Sequence, residues 1–587
     1  MNRSPKQPNV TRSSRFPFLR QLQKDDGYVL AMTGLLLVPL MIFTAFAVDV
    51  GAWYAQGSRL QRAADAAVLA GVVWMPATDT AIAVADKVLT DNGYGSLTHT
   101  YTFDTIINTM KIEISESAKQ YFSKIVIPSE KLTRRATGQF NRPIPMGSPL
   151  ATFGNQLSGY GASPACTDPA ATVTGCPAPS SLPQFWSAIQ GPYTPHQSGD
   201  PFATKCPADS AAHLACEGAN INSTYRTSGY TYGIDVPAAS IGATITVEIY
   251  DAIASGDTTQ GGNATGDSVS SKGTSGYDLT DTTFRTQFEM FDSDNSNFTT
   301  SIDPTLALTD GSARTTSCTG SGYPTGKTAG RLMVNSTDAV TTYKNRWVKL
   351  CTFVAVRSGV FPLVVRTSGF GTPADSGGGY NAYSIRTTST SSSKPTVYAI
   401  RDMSIWSPNA NASSGGTVIS RFYFANIDIA EKGKVMLLDL FDPGDGSCLT
   451  KDSKGKPLQF PCTGFTMQFR GPPSGTPASI PNDLGYAWPC TYNSVPSASA
   501  GGATLDKSSS TCTIPTKISG SSAGIYNNGW LRVRIPLPAT AVGGVPAYAC
   551  SGTDCWWTVK YNFSTGSPND RTVWSAGVYG DPLHLTS

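Results

Sequence analysis

The sequence predicts a multidomain protein with one N-terminal transmembrane helix, a small α+β module and two tandem all-β modules of the sandwich or jelly-roll type. Three observations support this prediction. Residues 28–48 contain no charge, all 12 cysteines lie far beyond that run, and a series of short motifs recurs in the same order in two C-terminal segments. Charged residues make up only 14% of the chain, against about 25% in an average domain. A surface poor in charge and rich in hydroxyl groups suits an exported protein.

The N-terminal residues 1–27 form a basic tail, and residues 28–48 predict the span. As a helix rising about 1.5 Å per residue, this run covers roughly the 30 Å hydrocarbon core of a bilayer. The tail carries six basic and two acidic residues, and such a flank stays on the cytoplasmic side. We therefore expect a single-pass membrane protein with a cytoplasmic N-terminus and an extracytoplasmic bulk. The net charge of +3 comes from the tail, so nothing indicates a nucleic-acid partner.

A cleaved signal peptide is the competing interpretation of this segment. Ala45-Phe46-Ala47 fits a signal-peptidase site, which would make Val48 the first mature residue. However, the apolar run exceeds a usual hydrophobic region of about 7 to 15 residues. The helical pattern also continues past the site, with small or apolar side chains on one face that permit close packing of a helix or a sheet; they are Leu60, Ala64, Ala67, Val68 and Gly71. On this helix Asp65 is placed to pair with Arg62 or Gln61.

Two motifs in this segment carry a resemblance to a known family. They are Val48-Asp49-Val50-Gly51 and Leu60-Gln61-Arg62-Ala63-Ala64-Asp65-Ala66-Ala67. Together they resemble the N-terminus of TadE/TadG-like proteins of bacterial tight-adherence (Flp) pilus-assembly systems, over about residues 25–75. The signature residues are Asp49, Gly51, Leu60 and Asp65.

The resemblance implies a membrane-anchored, non-enzymatic protein of a pilus or surface-adhesion system, with the membrane and other pilus or surface proteins as partners. We expect the small-residue helix face to pack against other pilus components. Met32 stands where a prepilin peptidase substrate usually has Glu, five residues after Gly27, so an uncleaved anchor is expected.

Residues 49–142 predict a pilin-like α+β module, and residues 143–224 a disulfide-containing connector. A short helix ends at Asn92-Gly93, and the alternation of Met110-Lys-Ile-Glu-Ile-Ser115 has the period of a strand. The proline-rich run 142–149 predicts an extended linker. The connector is rich in turn-forming residues and contains four cysteines.

Residues 225–407 and 418–587 predict two copies of one β-sandwich module. Motifs recur in order in both segments, with turn-forming clusters between short alternating runs. The matched pairs are residues 230–237 with 423–429, 245–251 with 435–442, 286–288 with 466–469, Cys318 with Cys512, 346–350 with 529–533, and 361–369 with 558–566. A polar run over 408–416 separates the copies.

An even number of cysteines in the exported part indicates disulfides. They are Cys166, Cys176, Cys206, Cys216, Cys318, Cys351, Cys448, Cys462, Cys490, Cys512, Cys550 and Cys555. Proximity in sequence suggests the pairs Cys166–Cys176, Cys206–Cys216, Cys448–Cys462 and Cys550–Cys555, although sequence leaves the connectivity open. Zinc is disfavoured because no C-x-x-C motif is present and the four histidines are scattered.

Calcium is the one cofactor for which the sequence offers ligands. Asp292 and Asp294 stand at D-x-D spacing, and Asp251 and Asp442 occupy matching strand ends in the two copies. The competing interpretation of each is a polar turn. No catalytic residues are predicted, because Gly520-Ser521-Ser522-Ala523-Gly524 fits G-x-S-x-G but precedes a strand rather than a helix.

Two alternatives to a pilus-associated anchor remain. One is an exported cell-envelope hydrolase or carbohydrate-binding protein, for which surface glycans would be the partner. The other is an envelope protein that binds no ligand.

Overall fold

The computed structural model describes residues 26–75, 78–104, 109–125, 129–140, 143–155, 185–206, 221–254, 267–270, 285–292, 318–319, 327, 329–367, 377–407, 418–444, 450–451, 457–458, 465–472, 485–496, 506–516, 525–550, 555–563, 570–578 and 583–586. The chain divides into two compact units. Unit 1 comprises Met1–Phe140 with Leu583–Ser587, and unit 2 comprises Asn141–Pro582.

Unit 1 contains a long helix, a shorter helix and an antiparallel sheet. The helices are α1 (Asp26–Val72) and α2 (Thr78–Asp91), and the strands are β1 (Thr98–Asp104), β2 (Thr109–Ser117), β3 (Lys131–Phe140) and β28 (Leu583–Thr586). The sheet order is β1-β2-β3-β28. The alternation predicted for β2 buries Met110, Ile112 and Ile114 on one face.

Helix α1 has two parts that differ in their surroundings. Side chains of residues 28–48 are mostly exposed, although nearly all are apolar, whereas the later part buries one face against the rest of unit 1. Among the described residues, α1 is the one helix long and apolar enough to cross a membrane. An exposed apolar surface of this length favours a lipid surrounding.

The sequence analysis places the C-terminal strand β28 in the second β module, but the structure places it in the sheet of unit 1. Leu583 pairs with Phe140, and Thr586 with Thr137, so β28 forms an edge of the unit 1 sheet. Unit 2 is therefore inserted between two neighbouring strands of unit 1. The predicted boundary 418–587 is wrong at its end, because strand pairing across the 442 residues of 141–582 leaves no local pattern.

Unit 2 consists mainly of strands. They are β4 (Pro145–Gly147), β5 (Thr152–Phe153), β6 (Trp186–Gln190), β7 (Tyr230–Val236), β8 (Thr244–Tyr250), β9 (Ser268–Ser270), β10 (Arg285–Met290), β11 (Arg331–Asn335), β12 (Trp347–Val354), β13 (Gly359–Arg366), β14 (Gly378–Ser389), β15 (Thr396–Ile400), β16 (Asp402–Ser407), β17 (Val418–Asn426), β18 (Val435–Phe441), β19 (Thr450–Lys451), β20 (Pro457–Leu458), β21 (Thr466–Arg470), β22 (Cys490–Pro496), β23 (Lys507–Ser509), β24 (Thr513–Pro515), β25 (Gly529–Pro536), β26 (Trp556–Phe563) and β27 (Asp570–Val578). A one-turn helix, α3 (Val340–Tyr343), precedes β12.

These strands form two large sheets and one small hairpin. The first sheet has the order β11-β10-β13-β7-β15-β4-β17-β26-β21-β24. The second runs β12-β8-β14-β6-β16-β27-β18-β25-β22-β23, with β5 and β9 also on β14. Aromatic pairs join the two sheets, such as Phe288 with Tyr383 at 5.1 Å and Phe353 with Phe361 at 5.0 Å between ring centroids. The sheets therefore form two layers around a shared apolar core.

Two sets of six strands pair in the same manner. The first set is β7, β8, β10, β12, β13 and β14, and the second is β17, β18, β21, β25, β26 and β27. In each set the fifth strand lies between the first and the third, and the second strand lies between the fourth and the sixth. All these neighbours are antiparallel.

The two sheets correct two predictions, namely that residues 143–224 form a connector and that the two β modules are separate. Strand β4, inside the predicted proline linker, lies between β15 and β17, and β6, inside the predicted connector, lies between β14 and β16. The segments 143–224, 225–407 and 418–582 thus contribute to one compact unit. A proline can occupy a strand where its missing N–H is not needed, so the proline-rich composition gave a misleading boundary.

Candidate functional site

The small-residue face of α1 is covered by unit 1 itself. Leu60, Ala64, Ala67 and Val68 are fully buried, and the helix packs on α2, β2 and β3. Contact with the sheet is close, since a Cβ added at Gly138 of β3 would lie 3.0 Å from Val68 Cγ1. The expectation that this face packs against other pilus components is therefore wrong.

Asp49 binds the backbone of a segment distant in sequence. Its side chain is buried, Oδ1 accepts a hydrogen bond from Tyr121 N (2.9 Å), and Oδ2 accepts hydrogen bonds from Phe122 N (3.0 Å) and Ser123 N. Burial by itself raises the pKa of Asp49, but the hydrogen bonds from Ser123 and from the other two amides outweigh burial, and the pKa is lowered from 3.8 to about 2. The carboxylate is thus ionised at neutral pH and fixes the start of the turn Ser123–Ile125.

Two more side chains on the same face of α1 hold this segment. Trp53 Nε1 donates to Lys119 O at 2.8 Å. Gln56 Nε2 donates to Ser117 O and its Oε1 accepts from Lys119 N, both at 2.9 Å. Positions 49, 53 and 56 follow helical spacing, so the three side chains form a single clamp, which we call the 49–53–56 clamp. Sequence reasoning identified Asp49 but missed Gln56 and the bound segment; polar residues at i, i+4 and i+7 after a span were the available signal.

The other signature residues lie farther along α1. Gln61 Nε2 donates to Asp65 Oδ1 (2.9 Å) and to Arg135 O (2.8 Å); Gln61 was one of the two partners predicted for Asp65. Gln61 and Asp65 line a pocket of about 520 Å³; the other lining residues are Lys111, Arg135, Ala136, Thr137 and Leu585. Leu60 is buried, whereas Gly51 is exposed and a Cβ there would meet no atom within 4 Å. Two of the four signature side chains thus bind the backbone of other segments. Asp49 accepts hydrogen bonds from the amides of residues 121–123 directly, whereas Asp65 accepts a hydrogen bond from Gln61, which itself donates to the Arg135 carbonyl.

Asp251 and Asp442 have the same role in the two halves of unit 2. Asp251 Oδ1 accepts from Asn345 N (3.1 Å), and Asp442 Oδ1 accepts from Asn528 N (2.8 Å). Both aspartates are buried, and the four residues all have φ between 51° and 54°. The geometry is that of a turn in which a carboxylate holds a left-handed Asn, the polar-turn alternative given above.

The remaining calcium candidates are only partly described. Asp292 Oδ1 lies 2.6 Å from Arg357 Nη2 in an ion pair, while Asp294 lies outside the described residues. No group of three or more His, Cys, Asp or Glu side chains suited to a metal occurs in the described part of the chain. A calcium site stays a prediction. The G-x-S-x-G match at 520–524 also lies outside the described residues.

Three disulfides are described in full. They are Cys318–Cys351, Cys490–Cys512 and Cys550–Cys555, of which the last is a pair suggested by proximity in sequence. Cys318 and Cys512 occupy matching positions in the two predicted copies, but their partners Cys351 and Cys490 lie on β12 and β22, which are not matching strands. Cys206 is disulfide-bonded; Cys166, Cys176, Cys216, Cys448 and Cys462 lie outside the described residues, so those suggested pairs stay predictions.

Comparison with known proteins gives one finding. Residues 27–79 match the family model described as putative Flp pilus-assembly TadE/G-like. Searches of curated proteins and of solved structures found no match. The matched segment comprises nearly all of α1, including the 49–53–56 clamp, and the beginning of α2. Over residues 27–79, and in that region alone, the chain is thus similar to the TadE/G-like proteins of Flp pilus assembly, which confirms the resemblance identified from its motifs.

Proposed function

We propose that this chain is a membrane-anchored, extracytoplasmic, TadG-like component of a tight-adherence pilus or surface-adhesion system, without enzymatic activity. The observation that carries the proposal is the division of α1 within the matched segment. Its first part exposes apolar side chains over the length of a bilayer, and its second part is built into unit 1. One continuous helix would thereby connect the membrane rigidly to a folded unit.

The proposed orientation places the tail 1–27 in the cytoplasm and both units outside. It is supported by the basic residues of the tail and by the disulfides of unit 2, which form in oxidising compartments. We further propose that the two halves of unit 2 are tandem copies of one module, as the matching strand pairing and the matching Asp–Asn turns suggest. Unit 2 would face outward and bind a surface or a partner protein.

The test uses host cells in which the gene is deleted and then supplied as variants. In one variant a cleavable secretory leader replaces residues 1–48; in the matched control an unrelated transmembrane sequence of equal length replaces residues 28–48. We expect the secreted variant to lose pili or surface attachment and the control to retain them. Full function of the secreted variant, or unchanged pili and attachment in the deletion strain, would contradict the proposal.

A further inference from the structure

We propose that residues 118–124 form a second contact with the membrane, beside the span. In this contact Tyr121 and Phe122 lie in the headgroup layer of the outer leaflet, and Lys119 and Lys124 lie near lipid phosphates. The inference rests on the proposed anchoring by residues 28–48 and adds a surface of unit 1 to it.

The position of the segment follows from the Asp49 hydrogen bonds. Asp49 comes directly after Val48, the last residue of the apolar run, and its carboxylate oxygens lie 2.9 Å and 3.0 Å from the amide nitrogens of Tyr121 and Phe122. The headgroup region on each side of a bilayer is about 5 to 8 Å thick. The backbone of residues 121–123 therefore lies at headgroup depth whenever the apolar run spans the hydrocarbon core.

The side chains of this segment are apolar and exposed. Tyr121 is 65% exposed and Phe122 is 51% exposed. Beyond the span, the described part of unit 1 has five large hydrophobic side chains that are exposed, and four of them lie at this end: Val50, Tyr54, Tyr121 and Phe122. The fifth, Leu585, lies by the pocket lined by Gln61 and Asp65. Exposed apolar residues grouped in this manner indicate a contact surface.

The chemistry of the surface fits lipid headgroups. Tyrosine rings favour the membrane–water boundary, because one end is apolar and the other donates a hydrogen bond. Lys119 and Lys124 are exposed on either side of the aromatic pair, and long basic side chains reach phosphates while their stems stay in the apolar layer. A protein partner would have to approach within the headgroup layer itself, so lipid is the occupant that the position favours.

The 49–53–56 clamp gives the contact a consequence for orientation. Three hydrogen-bonding side chains of α1 hold the segment on one face of the helix, and Trp53 also contacts Phe46 of the span, at 6.3 Å between ring centroids. A helix alone is free to rotate about its axis and to tilt. A second contact fixed to one side of it restricts both motions and orients unit 1 on the membrane.

The test measures the depth of nitroxide spin labels on the full chain in vesicles of zwitterionic and anionic phospholipids. Labels are attached at Tyr121→Cys and Phe122→Cys, at Leu37→Cys inside the span, and at Thr102→Cys. Thr102 is exposed and pairs with Lys111, next to Met110. Met110 pairs with Gly138, which contacts Val68. Val68 lies 19 residues, or about 28 Å, beyond Asp49 along the helix. Thr102 therefore serves as the reference position far from the membrane. The unsubstituted chain, with no free cysteine among the described residues, gives the labelling background.

The readout is the ratio of collision with oxygen, which enters lipid, to collision with a soluble nickel chelate, which does not. We expect a high ratio at Leu37, a low ratio at Thr102 and clearly raised ratios at 121 and 122. Ratios at 121 and 122 equal to that at Thr102, with Leu37 still high, would overturn the contact and leave the anchor intact. A low ratio at Leu37 would overturn the anchor and the contact together.

A second variant tests the clamp as the cause. Asp49→Ala removes the acceptor for three backbone amides, so we expect the label at 121 to become more mobile and its ratio to fall toward that of Thr102. Gly51→Ala, which meets no atom within 4 Å and lies half a turn away, is the matched control and should change neither quantity. An unchanged label in Asp49→Ala would show that the clamp does not hold the segment at the membrane.

Discussion

The close packing of α1 on unit 1 predicts opposite effects for one substitution at two positions of the same helix. In Gly71→Ala the new Cβ would lie 2.7 Å from Met110 Sδ and 2.8 Å from Ala81 O. The thioether can move, but the carbonyl belongs to the backbone of α2, so we expect an overpacking cost of about 1 to 3 kcal/mol. In Gly51→Ala the Cβ meets no atom within 4 Å, and alanine in place of glycine stabilises an exposed helix by about 1 kcal/mol. The same gain is available at Gly71 at most in part, since α1 ends at Val72.

Hydrogen exchange of the full chain in detergent micelles measures this difference. The relevant peptides cover β2 and β3, which pack against α1, and peptides from β8 in unit 2 serve as the internal control. The cost in Gly71→Ala and the gain in Gly51→Ala add to a difference of about 2 to 4 kcal/mol between the two variants, which corresponds to exchange roughly thirtyfold to several hundredfold faster in Gly71→Ala. Equal protection of β2 and β3 in both variants would refute the close packing of helix and sheet.

Two further predictions concern buried carboxylates. Glu289→Gln should destabilise unit 2 by about 3 to 5 kcal/mol in denaturant titrations, because the buried Glu289 is ion-paired with the largely buried Arg366; the control Glu248→Gln breaks a more exposed pair and should cost about 1 kcal/mol or less. The pKa of Asp49 is lowered from 3.8 to about 2, so its hold on residues 121–123 should be complete above about pH 4 and be lost as the pH falls through about 2. A spin label at Tyr121 should therefore gain mobility over that interval, whereas in Asp49→Ala it should be mobile at every pH.

The sequence was most informative where structure depends on neighbours in the chain. The apolar run and the helical spacing beyond it predicted α1, and the alternation of residues 110–115 predicted β2. The partner of Asp49 was not predictable in this manner, because 72 residues separate Asp49 from Tyr121 and the bonds go to backbone amides, which carry no side-chain signature. The covering of the small-residue face was missed for the same reason, since small side chains accept a sheet of the same chain as readily as a partner.

In unit 2 the recurring motifs predicted the strands of each set but not the way in which the two sets combine. Recurring motifs identified two sets of strands, and their pairing within each set is alike. That the sets share continuous sheets depends on β4 and β6, which occupy central positions but have only three and five residues. Neither segment alternates in a manner that separates a strand from a turn, and β4 contains a proline. The places of β4 and β6 in the sheets depend on pairing with strands that are distant in sequence, which the sequence alone does not reveal.

The central claim is that α1 anchors the chain in a membrane as an uncleaved helix. We would test it by determining the N-terminal sequence of the mature protein from its native host and its partition between membrane and soluble fractions. The account predicts membrane retention with an intact N-terminus or one near Gly27. A mature protein that starts at Val48 and is found in the soluble fraction would contradict it.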